Sequence, residues 1–178
     1  MSSRFERTAS DVVYDGGFFS VSRDTFRHDD GAEVEREIVR HPGAVGIVVL
    51  DGDRLWLVRQ PREAIGSPDL LELPAGKLDE EGEAPLDTAK RELAEEIGKQ
   101  AEQWEPLGSF YTSPGFTDEE VHLFLATGIS DVDERPVVHE DERIDVEVRP
   151  VGDLDAILAE TKDSKTLIGL SALRARLE

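Results

Sequence analysis

The chain has 178 residues, enough for one domain with a sizeable core and a small appendage. Its 40 acidic residues against 20 basic ones leave a formal charge of −20, which argues against docking on nucleic-acid phosphates or on an anionic membrane, since both need basic patches. It contains no cysteine, so disulfides, thiolate chemistry and cysteine-based zinc sites are excluded.

The opening stretch, MSSRFERTAS, has no apolar run. No signal peptide or membrane span is expected from it, and a cytoplasmic protein is the default reading. Residues 1–42 read as a separate small β unit. Phe18 to Arg27 has strand character, a turn follows at His28–Asp29–Asp30–Gly31, and Glu33 to Arg40 alternates again. Two or three short strands cannot bury enough surface alone, so they must pack on the main domain or on another subunit.

Residues 43–178 read as the main domain. His41–Pro42–Gly43 breaks the first pattern, and AVGIVVL (44–50) then reads as a strand buried on both faces. Asp51–Gly52–Asp53 turns the chain into a second strand, Arg54 to Gln60. Pro61 to Asp69 reads as a loop, and LLELPA (70–75) leads into a glycine. Pro85 suits a first helical position and Gly98 the residue just past a helix end. Between them Leu86, Ala89, Leu93 and Ile97 recur at helical spacing and predict one apolar face. Trp104–Ser113 and Glu120–Thr127 read as strands, and Ile144–Pro150 alternates. Two terminal helices follow, about 151–160 and 164–177, the last with an inner stripe of Leu167, Leu170, Leu173 and Leu177.

The polar face of the first helix carries Arg91, Glu92, Glu95 and Glu96. Glu92 and Glu96 stack four residues apart, and like charges so placed destabilise a helix by a few tenths of a kcal/mol. A hard divalent cation would turn that penalty into a binding site. Taken alone, however, such a charged face is usually only solvated.

The residue order resembles the Nudix hydrolase signature, G-x5-E-x7-R-E-U-x-E-E-x-G-U with U apolar. Gly76, Glu83, Arg91, Glu92, Leu93, Glu95, Glu96 and Gly98 fill eight of its positions. Six residues rather than five separate Gly76 from Glu83, an extra one in the loop, and Lys99 stands at the final apolar position. HPGAV, LVRQPR and LELPAG resemble stretches of the ADP-ribose pyrophosphatase subgroup, and Pro114 follows Gly98 by the sixteen residues associated with it.

The resemblance spans about residues 34–150. It implies an α/β fold: a Nudix-type mixed-sheet α/β/α sandwich with a small N-terminal antiparallel β-sheet that exchanges between subunits of a homodimer. The implied reaction is metal-dependent hydrolysis of ADP-ribose, or related ADP-sugars, to AMP and ribose 5-phosphate. Mg²⁺ or Mn²⁺ is the implied cofactor, with two or more ions per site. Glu92, Glu96 and the Ala75 carbonyl are the implied ligands, with Glu95 a ligand or water-holder and Arg91 orienting the glutamates. Gly76 would let the backbone come close. Arg36 and Arg62 match arginines that the subgroup sets on substrate phosphates or the terminal ribose, though each taken singly is as readily a surface arginine. Pro114 belongs to the same substrate set.

If metal occupies the helix glutamates, the reaction still lacks a free base. The acidic loop His139–Arg143 precedes the strand from Ile144, as does the loop that supplies a catalytic glutamate in the subgroup. Glu140 is the better candidate base and Glu142 a possible further metal ligand, though the roles are exchangeable. Phe18 or Phe19 could stack on adenine, though a strand aromatic is more often core, while Trp56 and Tyr111 read as core or pocket wall, with core favoured. Two other functions compete: hydrolysis of another nucleoside diphosphate derivative, such as a GDP-sugar or a dinucleoside polyphosphate, and non-catalytic ligand sensing. The second is disfavoured because the glutamates are kept.

Overall fold

A computed structural model of the chain describes residues 4–134 and 143–177. The chain divides into two compact units, Met1–Gly43 with Phe110–Glu120, and Ala44–Ser109 with Val121–Glu178.

The first unit is built on a three-stranded antiparallel sheet of β1 (Phe5–Asp15), β2 (Ser20–His28) and β3 (Glu33–Arg40), in that order. The β2–β3 turn closes at Gly31, whose φ of +83° favours glycine. β1 was not foreseen from the sequence. All eleven of its residues are exposed, so no buried face imposes a period of two on FERTASDVVYD. The sheet is pinned by Asp24, fully buried, which accepts from Ser10 and pairs with Arg40 and Arg7. Segment 110–120 joins β3 through Val39 N–H to the Phe116 carbonyl at 2.8 Å and Arg40 Nη1 to Asp118 at 3.0 Å.

The second unit holds a seven-stranded sheet. Its strands are β4 (Ala44–Asp51), β5 (Arg54–Arg62), β6 (Ser67–Glu72), β7 (Ala75–Lys77), β8 (Lys99–Tyr111), β9 (Glu120–Asp131) and β10 (Asp145–Pro150). The main order is β10-β5-β4-β9-β8, with β6 on β5 and β7 on β4. β4 runs parallel to β9 and antiparallel to β5, so the sheet is mixed. Helices α1 (Pro85–Ile97), α2 (Leu154–Glu160) and α3 (Ser164–Leu177) complete the unit.

The apolar run in β4 follows from burial on both faces. Val45, Ile47 and Val49 share a core with Ala89, Leu93 and Ile97 of α1. On the alternate side Val48 meets α3, where a β-carbon on Gly169 would stand 3.0 Å from it and 2.8 Å from Leu73. The result is the α/β/α sandwich. Burying each such aliphatic side chain contributes about 1.5–3 kcal/mol.

Several expectations are corrected. Pro61–Asp69 is not simply a loop: β5 runs on to Arg62, a 3₁₀ turn spans Glu63–Ile65, and β6 starts at Ser67. Pro61 is tolerated because it sits at an irregularity in the β5–β6 pairing. The α3 stripe is narrower than expected. Leu170 and Leu173 are buried with Thr166 and Gly169, whereas Leu177 is exposed. Tyr111 is also exposed rather than core. Lys99, at the formally apolar position, opens β8, holds its ammonium 4.3 Å from the Trp56 ring and pairs with Asp131. No helix among the described residues is long and apolar enough to cross a membrane.

Candidate active site

α1 starts and stops where its local chemistry says. Pro85 occupies the first turn, and Gly98 takes the left-handed conformation, its N–H meeting the Ala94 and Leu93 carbonyls. With Ala89, Leu93 and Ile97 turned into the core, helical geometry brings Arg91 and Glu95 to the opposite side and Glu92 and Glu96 to the flank.

Arg91 gathers these carboxylates. Its Nη1 donates to Glu92 at 2.9 Å and to Glu95 at 3.1 Å, while Nε and Nη2 reach Glu83 at 3.3 and 3.1 Å. Thr88 Oγ1 also donates to Glu83, at 2.8 Å. Glu83 is thereby held below the usual carboxylate range, chiefly by its hydrogen bonds from Arg91. Burial disfavours the Arg91 charge, but the Glu83 hydrogen bonds and the pull of Glu92, Glu83 and Glu95 outweigh it and raise its pKa.

Strand β7 delivers the backbone to this face. Ala75 N–H donates to the buried Glu96 carboxylate at 3.0 Å. Glu92 lies over the bare α-carbon of Gly76. Among the described residues no three His, Cys, Asp or Glu side chains already form a cation site. The donor types nevertheless fit a hard divalent ion: carboxylate oxygens of Glu92, Glu95 and Glu96 beside the backbone of Ala75, with space kept by glycine at 76. One guanidinium, that of Arg91, faces Glu83, Glu92 and Glu95 together.

Arg62 is set in a fork with Glu72, which is fully buried: Nε at 2.6 Å and Nη2 at 2.8 Å. Its Nη1 has no hydrogen-bond partner among the described residues. The hydrogen bonds that Arg62 donates to Glu72 raise the Arg62 pKa, and Glu96 adds to the rise through its charge. Burial pushes the Glu72 carboxyl up, but Arg62 and Lys165 outweigh it and leave the group below its ordinary value. Glu72 and Lys165 were missed in the sequence. An acid inside the apolar run LLELPA was the available signal, since a buried carboxylate needs a cation.

Arg36 and Pro114 lie in the first unit, in a cleft of about 320 Å³ lined also by Phe5, Phe26, Val34 and Phe116. Arg40, at the same cleft, is neutralised by Asp24 and Asp118. Among the described residues Arg36 donates only to the Glu35 carbonyl, at 2.8 Å. Glu140 and Glu142 lie outside the described residues.

A fold of this kind with a glutamate-bearing helix behind a glycine defines a class. Residues 40–168 match the NUDIX domain, and the chain belongs to that family. It is 45% identical over 139 residues to an ADP-ribose pyrophosphatase of Mycobacterium tuberculosis, covering 78% of this chain and 66% of that one. It is 39% identical over 182 residues to an ADP-ribose pyrophosphatase of Bacillus subtilis, covering 99% and 96%. A methanol dehydrogenase activator of Bacillus methanolicus is 38% identical over 168 residues, covering 93% and 90%. Among solved structures, that of an ADP compounds hydrolase superposes with a TM-score of 0.85 at 21% identity, over 98% of this chain and 95% of the other, which bears on the fold.

Proposed function

We propose that this chain is a divalent-metal-dependent hydrolase of the pyrophosphate bond in ADP-ribose or related ADP-sugars, giving AMP and ribose 5-phosphate. The observation that carries the reading is the α1 face itself: Glu92 against Gly76, Glu96 bonded to Ala75 N–H, and Glu95 drawn in by Arg91. Relatives named ADP-ribose pyrophosphatases at 39% and 45% identity support the substrate.

Glu92, Glu96 and the Ala75 carbonyl are the proposed metal ligands, with Glu95 a further ligand or the holder of a water. When bound, Mg²⁺ or Mn²⁺, two or more per site, would supply charge stabilisation at the phosphoryl oxygens and lower the pKa of water so that it loses its proton more readily. Arg91 orients three carboxylates from outside the ligand set. Glu140 takes the proton from the attacking water, and Glu142 is an additional ligand, the two roles being exchangeable. Arg36 and Pro114 are proposed substrate contacts, because an apolar, aromatic cleft with a guanidinium that has no carboxylate partner among the described residues suits a flat base or an anionic group. Arg62, its fork fixed by Glu72, keeps Nη1 for substrate oxygens.

The proposed setting is a cytoplasmic homodimer joined through the N-terminal sheet of residues 1–42. Phe5, Val12, Val13 and Tyr14 on β1 are each at least half exposed, a face that a second copy would cover. Chromatography of nucleotide products from ADP-ribose with Mg²⁺ or Mn²⁺ tests the activity.

A further inference from the structure

Residues 71–75 run into Gly76 and the glutamate face. They are strapped down by the turn between α2 and α3 and by the first turn of α3. Thr161 Oγ1 donates to the Leu71 carbonyl at 2.7 Å. Leu73 N–H donates to Thr166 Oγ1 at 2.8 Å, and that hydroxyl donates to Asp163 Oδ2 at 2.6 Å. Asp163 Oδ2 also accepts the Thr166 N–H at 2.9 Å. Lys165 bonds Asp163 and the buried Glu72. Thr161 and Thr166 are themselves buried. Just beyond, Ile47 N–H holds the Pro74 carbonyl at 2.9 Å and Ala75 N–H holds Glu96 at 3.0 Å.

The bond directions matter. Thr166 Oγ1 has one proton, committed to Asp163, so its lone pair must face Leu73 N–H. That sets the height of Leu73 against α3, two residues before the Ala75 peptide that meets Glu96. Buried donors are seldom left without partners, so the segment has one well-defined seat. Ligand oxygens tolerate displacements of only a few tenths of an ångström.

We propose that Thr166 is a positioning residue of the carboxylate site, acting through Leu73 on Ala75 and Glu96, with Asp163 fixing its hydroxyl. The inference rests on the metal reading of that site. Groups that orient metal ligands from outside typically change affinity 10–100-fold when removed.

Mn²⁺ binding to the full chain, followed by the electron paramagnetic resonance of the free ion, tests this without turnover. Thr166→Val keeps the shape but removes the acceptor, and the dissociation constant should rise about tenfold or more. Thr166→Ser, which keeps the hydroxyl, should stay within about threefold of wild type. Leu173→Ala, a cavity in the same helix, should lower the melting temperature yet leave Mn²⁺ affinity unchanged below it. Should Thr166→Val fail to fold, Asp163→Asn loosens the same hydroxyl more gently, with an expected rise of about threefold. Wild-type affinity in Thr166→Val, or in Asp163→Asn where that variant stands in, overturns the inference alone. So does an equal loss in Leu173→Ala. Absence of Mn²⁺ binding by the wild type overturns the metal reading and the inference with it.

Discussion

Glu92 occupies the space that a side chain on Gly76 would need: a β-carbon there would stand 2.0 Å from the Glu92 carboxyl carbon. Gly76 does not adopt the left-handed conformation, so the need for glycine is one of space alone. Gly76→Ala should therefore displace Glu92 rather than strain the backbone of β7. Turnover should fall about 100-fold or more, as expected when a reacting group is misplaced by an ångström. Steady-state kinetics with a circular dichroism check on folding decides this. Unchanged turnover would show that Glu92 has no fixed position to lose.

Glu72 links stability to pH. Its folded pKa lies below its ordinary value of 4.5 because Arg62 and Lys165 outweigh its burial. Its contribution is thus fully present above that ordinary value and is lost as pH falls through the lowered, folded one. Glu72→Gln strands two cations and should cost about 3 kcal/mol at pH 7. The gap to wild type should close only in acid, below the ordinary value. Urea unfolding across pH 3–7 measures both, and a pH-independent gap would contradict the assignment.

The N-terminal sheet is expected to be a dimer contact. Eleven exposed residues in β1 with Phe5, Val12, Val13 and Tyr14 among them leave apolar surface that a lone copy would present to water. Light scattering at micromolar concentration should return twice the monomer mass. Removal of residues 1–40 should return a monomer. A monomeric full-length chain would count against the dimer.

Glu140→Gln and Glu142→Gln should separate base from ligand. Loss of the base lowers kcat by orders of magnitude with little change in KM or metal requirement. Loss of a ligand raises the metal concentration for half-maximal rate. Wild-type behaviour in both would move the base to the helix, with Glu95 next.

Much of this was legible because its causes are local. Pro85 and Gly98 mark the ends of α1 by backbone preference, and the unbroken apolar run of β4 follows from helices on both sides. β1 was illegible because a strand exposed on every residue carries no alternation. The Arg62–Glu72 fork was hidden by reading Pro61 as the start of a loop. Thr166 and Leu73 are 93 positions apart, and their contact exists only once α3 packs on the sheet.

The central claim is tested most directly by chromatography of ADP-ribose incubated with the wild type and with Glu96→Gln, in Mg²⁺ or Mn²⁺ and in EDTA. Gln at 96 can still accept from Ala75 N–H but carries no charge. The expected result is equimolar AMP and ribose 5-phosphate from the wild type, none in EDTA, and a rate lower by about three orders of magnitude in Glu96→Gln, on the scale seen when a key charge-stabilising group is removed. Intact ADP-ribose with either metal, or undiminished hydrolysis in EDTA or by Glu96→Gln, would contradict the account.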